Sequence, residues 1–195
     1  MKPVGIFGGS FDPIHTGHLI AAQAVKEIRN LEKIIFIPAF TSPHKTGSES
    51  SNGKHRLNMI QLSTHDIPYF DYSDIEIKKE SVSYTIDTLS ALKKRYENIE
   101  LIIGYDNIID FSTWKEPDKI LELTKLIVLR RKTPVEPAAA DKYFHTAIFV
   151  DTPEIEISSS EIRQRVADNK PIDFLVHHKV KEYITKFKLY KKDYA

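Results

Sequence analysis

Cysteine is absent from the 195 residues, which excludes a disulfide framework and a thiolate nucleophile and fits a reducing compartment. No uninterrupted apolar stretch approaches the roughly 20 residues that a membrane-spanning helix needs. The N-terminus lacks the basic, apolar and small-residue regions of a secretory signal, so a cytoplasmic protein is the expectation. Charge of one sign is missing as well. Lys and Arg number 28 against 27 Asp and Glu, a net charge of +1, which supplies no bulk attraction for nucleic acid or a membrane surface. Internal repeats and long low-complexity segments are not found. What is present is 41% apolar and 28% charged residues, the balance of an ordinary soluble domain long enough for one substantial core.

Strand-like and helix-like patterns alternate along the chain. Val4–Phe7 and Ile34–Ile37 read as strands, with Leu19–Ile28 as an apolar helix between them. Thr41–Lys54 is polar, rich in Ser and Gly, and reads as a loop. His55–Thr64 is helical, a strand is expected around Asp71–Ile77, and a helix over Tyr84–Tyr96. Leu101–Ile103 and Leu126–Leu129 are short and almost wholly apolar, as strands covered on both faces are. Thr133–Ala140 reads as a surface loop, Ile148–Val150 as a last strand, and Ser159–Ala167 and Lys179–Phe187 as helices. The lysines from Lys179 to Lys192 form the solvated face of an amphipathic segment. Such alternation predicts an α/β fold with a doubly wound, mostly parallel sheet and helices on both faces. One domain is expected over residues 1–195, with about 155–190 packing as a C-terminal subdomain. Ligands of such sheets bind beyond the carboxyl ends of the strands, where strand order reverses.

The densest chemistry lies in Gly8-Gly9-Ser10-Phe11-Asp12-Pro13-Ile14-His15-Thr16-Gly17-His18. Two glycines end the first strand and let backbone approach an anion closely. A helix starting near Gly17-His18 adds N–H groups and the positive end of its dipole, and His15 and His18 can face one phosphate. Metal binding is the weaker reading, because no third His or Cys lies nearby; no metal site is expected. Ile157-Ser158-Ser159-Ser160-Glu161-Ile162-Arg163 has capping-box spacing between Ser158 and Glu161. Its hydroxyls and Arg163 also suit phosphate oxygens. Two helix starts equipped in this way suggest a polyphosphate held between them.

The first of these segments matches the (H/T)xGH signature of the nucleotidyltransferase superfamily. The second resembles its ISSTxxR signature, with serine at the threonine position. Ser42-Pro43-His44-Lys45, Ser83-Tyr84-Thr85-Ile86-Asp87-Thr88, and Ile103-Gly104-Tyr105-Asp106 followed by Trp114 extend the resemblance to the bacterial nicotinate-nucleotide adenylyltransferases, from residue 2 to about 190. That family has a small residue where Tyr105 stands, and Leu-Pro-x-Trp where this chain has Phe111-Ser112-Thr113-Trp114.

The resemblance implies transfer of an adenylyl group from ATP to nicotinate mononucleotide. In that scheme His15, His18 and Arg163 are catalytic, and Gly8, Gly9, Ser10, Lys45, Ser158 and Ser159 hold ATP. Tyr84, Thr85, Asp106 and Trp114 bind the mononucleotide, with Trp114 stacking on the heterocycle. Mg²⁺ would ride mainly on the ATP phosphates. Other acceptors, such as nicotinamide mononucleotide or pantetheine phosphate, remain alternatives, as does a nucleotide-binding module without turnover. A homo-oligomer is left open.

Overall fold

The structure, a computed structural model, describes residues 2–41, 51–130 and 142–191. Lys45 and the Thr133–Ala140 segment therefore lie outside the described residues.

The strands are short runs of β-branched and aromatic residues. They are β1 (Val4–Gly9), β2 (Ile34–Pro38), β3 (Phe70–Tyr72), β4 (Ile99–Gly104), β5 (Lys125–Leu129) and β6 (Ile148–Val150). They pair in the order β3-β2-β1-β4-β5-β6, and every pairing is parallel. Side chains alternate across a strand, and the two buried clusters record this residue by residue. Ile34, Phe36, Ile102 and Ile127 face one side; Ile35, Ile37, Leu101, Ile103, Leu126 and Val128 face the other. Both faces are covered, which is why the strands read as continuous apolar runs.

The helices sort between the two faces. Helices α1 (Thr16–Ile28) and α2 (Gly53–Thr64) cover the first, together with α8 (Ser159–Ala167) and α9 (His178–Lys186). On the second lie α4 (Thr85–Leu92), α5 (Tyr105–Ile109), α6 (Pro117–Leu123) and α7 (Lys142–Thr146). Val180 and Ile184 bury the apolar stripe of α9, leaving its lysines outside, and α8 and α9 share the core of the first face. Gly5 makes this packing close: a Cβ there would lie 2.5 Å from Ile34 and 2.8 Å from Leu31. Glu100, on β4, is buried and accepts two bonds from Arg29, at 2.9 and 2.8 Å.

The expected strand at Asp71–Ile77 is corrected. β3 ends at Tyr72, and α3 (Ile75–Lys79) follows. Ile75 and Ile77 mimic strand alternation, a pattern that short apolar runs leave ambiguous. Asp74 decides the outcome, since its carbonyl accepts the Lys78 N–H at 2.8 Å and its carboxylate pairs with Lys78 Nζ at 2.9 Å. The helix expected to reach Tyr96 ends as α-helix at Leu92.

Strand order reverses between β1 and β4, the neighbours at the centre of the sheet. Their carboxyl ends place Gly8-Gly9-Ser10 beside Gly104 and open toward α4.

Candidate active site

The site has two parts, joined by the end of β1. The first is a cavity of about 240 Å³. Gly8, Gly9 and Ser10 form one wall, Tyr84 and Thr85 at the start of α4 another, and Trp114 and Lys115 a third. A Cβ on Gly8 would meet nothing within 4 Å; the glycine keeps this opening clear instead of relieving a clash. Tyr84 is the extended N-cap residue of α4 (φ −98°, ψ 124°), so the first N–H groups of the helix lie where a negatively charged group would be received.

Glu76 stabilises that helix start from beneath. Its carboxylate accepts the Thr88 hydroxyl at 2.7 Å and also the Ser83 hydroxyl. Ser83 Oγ in turn accepts the Phe40 N–H at 2.9 Å. Burial pushes the Glu76 carboxyl up, against those hydrogen bonds and the nearby Lys79 and Arg56 charges.

Trp114 is half-buried and packs on Phe111, with ring centroids 5.0 Å apart, while also lining the cavity. It is thus both core and wall, although its sequence neighbours are polar. Tyr105 is buried against Phe144 and Phe149 and does not line the cavity. Its departure from the family pattern therefore alters the packing behind the site. Asp106 is exposed in the first turn of α5 and is not among the lining residues; its neighbour Asn107 is.

The second part is the junction of α1 and α8. His15 is the N-cap residue of α1 and stacks on His18, with ring centroids 3.6 Å apart and planes at 30°. His18 is wedged edge-on against Phe7 and Phe11. The His15 backbone N–H donates to His18 Nδ1 at 3.3 Å. A backbone N–H can only donate, so Nδ1 carries the lone pair and the proton of the neutral ring sits on Nε2. His15 Nδ1 is buried with no partner among the described residues. Burial lowers His15 to about 4. It lowers His18 well below its ordinary value, with the neighbouring His15 adding to the effect. Both imidazoles are therefore neutral near pH 7 in the free protein, and an anion would favour their protonation.

Several first-turn N–H groups of α1 are already used: Thr16 donates to the Leu175 carbonyl at 2.9 Å, and His18 and Leu19 to the His15 carbonyl. The imidazole of His18 adds its Nε2–H as a donor to this turn. At α8, Ser158 is the N-cap and accepts the Glu161 N–H at 3.1 Å. Ser159 donates to the Pro13 carbonyl at 2.9 Å, and Arg163 donates to the Asp12 carbonyl at 2.8 Å and to Ser160 Oγ at 3.1 Å. These bonds dock the start of α8 against the loop that carries His15, bringing the two sequence segments to one place.

Sequence reasoning missed the group that fixes this loop. Arg56 is 2% exposed and donates to three carbonyls, those of Ser51, Ser10 and Phe40, at 2.9, 2.8 and 3.2 Å. Buried Asp12 accepts the Ser51 N–H at 2.9 Å and the Tyr190 hydroxyl at 2.6 Å. Desolvation and the adjacent Asp12 push the Tyr190 phenol up. The Asp12 carboxylate is thereby committed within the protein. No group of three or more His, Cys, Asp or Glu able to hold a metal ion occurs among the described residues. No described helix is long and apolar enough to cross a membrane.

A glycine turn at a strand-order reversal, followed by two stacked imidazoles and a second helix start docked on the same loop, is the arrangement expected of a nucleotidyltransferase. The comparisons agree. The model of the cytidylyltransferase-like family matches residues 6–165. The nicotinate-nucleotide adenylyltransferase of Bacillus subtilis (strain 168) is 39% identical over 192 residues, covering 97% of this chain and 99% of the relative. A Caldicellulosiruptor bescii protein named "Probable nicotinate-nucleotide adenylyltransferase" is 41% identical over 97% of this chain and 99% of its own. Among solved structures, the Plasmodium falciparum nicotinic acid mononucleotide adenylyltransferase complexed with NaAD superposes with a TM-score of 0.79 at 23% identity. It covers 97% of this chain and 98% of the other, a likeness of fold. The chain belongs to the nicotinate-nucleotide adenylyltransferase family.

Proposed function

We propose that this protein transfers the adenylyl group of ATP to the 5′-phosphate of nicotinate mononucleotide, giving deamido-NAD and pyrophosphate in NAD biosynthesis. The observation that carries this reading is that the end of β1 joins a cavity, opening on the N-terminus of α4 and walled by Trp114, to the turn that leads into the stacked His15–His18 pair. A flat heterocycle bearing a carboxylate suits the cavity, with its ring against Trp114 and its carboxylate toward the Tyr84 and Thr85 N–H groups.

The mononucleotide phosphate is already anionic near neutral pH, so no general base is required. One of its oxygens forms a bond to the α-phosphorus of ATP, and the bond from that phosphorus to the bridging oxygen of pyrophosphate breaks. Catalysis then consists of alignment and of stabilising the charge that gathers on the leaving group. His18 supplies its Nε2–H to the transferring phosphate, and the stacked ring of His15 lies beside it. Gly8, Gly9 and Ser10 line the approach of the acceptor phosphate. Ser158, Ser159 and Arg163 face the β- and γ-phosphates, with Arg163 exchanging a protein carbonyl for phosphate oxygens, and Lys45 adds a cation. Mg²⁺, carried mainly by the ATP phosphates, would neutralise charge there and keep its water; the Asp12 carboxylate is held by Ser51 and Tyr190.

Pyrophosphate release measured with a panel of acceptors tests the proposal. Nicotinate mononucleotide should support rapid release with deamido-NAD as product. Release with pantetheine phosphate in its place, or none with any acceptor, would overturn it.

A further inference from the structure

We infer that Lys115 is a specificity residue of the acceptor site, an ammonium that favours a carboxylate over a carboxamide on the heterocycle. The inference rests on the proposed function and concerns its substrate preference. Among the described residues lining the cavity, Lys115 is the one cation and Glu76 the one carboxyl group. Glu76 is occupied by the hydroxyls of Thr88 and Ser83, which leaves Lys115 as the lining charge able to respond to a ligand.

Its present partners are loose. Lys115 Nζ lies 4.6 Å from the centre of the Tyr84 ring and 3.4 Å from Asp87 Oδ1. Lys79 holds the other oxygen of the same carboxylate at 2.7 Å. One carboxylate thus serves two ammoniums, and the more weakly held one stands at the cavity next to Trp114. The Lys115 side chain is 44% exposed. A ligand carboxylate received at the Tyr84 and Thr85 N–H groups would give Lys115 a partner of its own, while Asp87 stays neutralised by Lys79. A carboxamide offers no charge and has one acceptor oxygen, so its NH₂ must face either the α4 N–H groups or the ammonium. The N–H groups of α4 orient the carboxylate, and Lys115 adds discrimination by charge.

The test compares kcat/KM for nicotinate and nicotinamide mononucleotides in the wild type and in Lys115→Gln, Lys115→Arg and Lys79→Gln. Lys115→Gln should lower use of the acid by about 10-fold, the scale of one partly screened charge-assisted contact, and change use of the amide by less than about 2-fold. Lys115→Arg should restore most of the acid preference. Lys79→Gln, which leaves Asp87 to compete for Lys115, should weaken the acid preference by less than Lys115→Gln does. The wild-type acid-to-amide ratio should also fall as salt rises, and that dependence should flatten in Lys115→Gln. An acid-to-amide ratio unchanged in Lys115→Gln, or an equal loss with both acceptors, overturns the inference while leaving the proposed function standing. A wild type that fails to adenylylate nicotinate mononucleotide overturns the proposed function itself.

Discussion

Replacing Arg56 by methionine removes a side chain that ties the turn at Ser10 to Phe40 and Ser51. The guanidinium is 2% exposed and makes three bonds to carbonyls, at 2.8 to 3.2 Å. A hydrogen bond from a charged donor contributes about 1.5–3 kcal/mol, so three contribute roughly 5–9 kcal/mol. Removing the buried cation recovers several kcal/mol of desolvation, a cost visible in the lowered pKa of Arg56, for which burial is the leading cause. The net loss is about 3–5 kcal/mol, similar to breaking a buried ion pair. In a chain of 195 residues this corresponds to a fall in Tm of roughly 6–20 °C. Urea denaturation followed by circular dichroism measures it directly. Arg56→Lys should fall between the two proteins, because one ammonium cannot span three divergent carbonyls. A midpoint within about 0.5 kcal/mol of wild type for Arg56→Met would refute the reasoning, and Arg56 would be only a space-filling residue.

His18→Ala should lose roughly 10²–10³ in kcat, the scale of one positioned donor to a charged transition state, while remaining folded by circular dichroism at the assay temperature; wild-type turnover in the folded variant removes His18 from the mechanism. Gly8→Val should fold normally, since a Cβ there enters open space. Its branched side chain should block the acceptor cavity and abolish saturable dependence on the mononucleotide in steady-state kinetics. Stability should fall in acid through His15. The unfolded chain takes up a proton below about 6.5, while the folded imidazole resists until about 4, so stability is complete above 6.5 and declines between those values. At about pH 5 the loss is roughly 2 kcal/mol, and His15→Gln should abolish that part of the pH dependence in urea titrations.

The parts legible in the sequence are those in which local chemistry and global position coincide. Val4–Phe7, the two glycines after it and the apolar spacing of α1 are a strand, a turn and a helix at every level of description. Both signature segments are local in the chain, and the fold only had to bring them together. Bonds from Ser159 and Arg163 to the carbonyls of Pro13 and Asp12 accomplish that. The strand expected through Ile77 failed because two isoleucines at alternate positions serve a short helix equally well. α5 and α6 are too short to display a helical period, and α6 begins on Pro117 after Glu116 in a left-handed conformation (φ 52°). Arg56, Glu76 and Lys115 gave no signal, because the carbonyls, hydroxyls and carboxylate they meet are brought to them by the fold and follow no helical or strand spacing. Trp114 shows the limit of reading context. Its neighbours in the chain are polar, yet Phe111 supplies an aromatic floor that only the folded turn reveals.

The most direct test of adenylyl transfer follows one phosphorus atom. ATP carrying a radiolabel at its α-phosphate is incubated with nicotinate mononucleotide and the protein, and the products are separated. The label should appear in deamido-NAD in step with unlabelled pyrophosphate, while ATP labelled at its γ-phosphate should place all of its label in pyrophosphate. Label from the γ-position in the nucleotide product, or AMP formed without a dinucleotide, would contradict the mechanism.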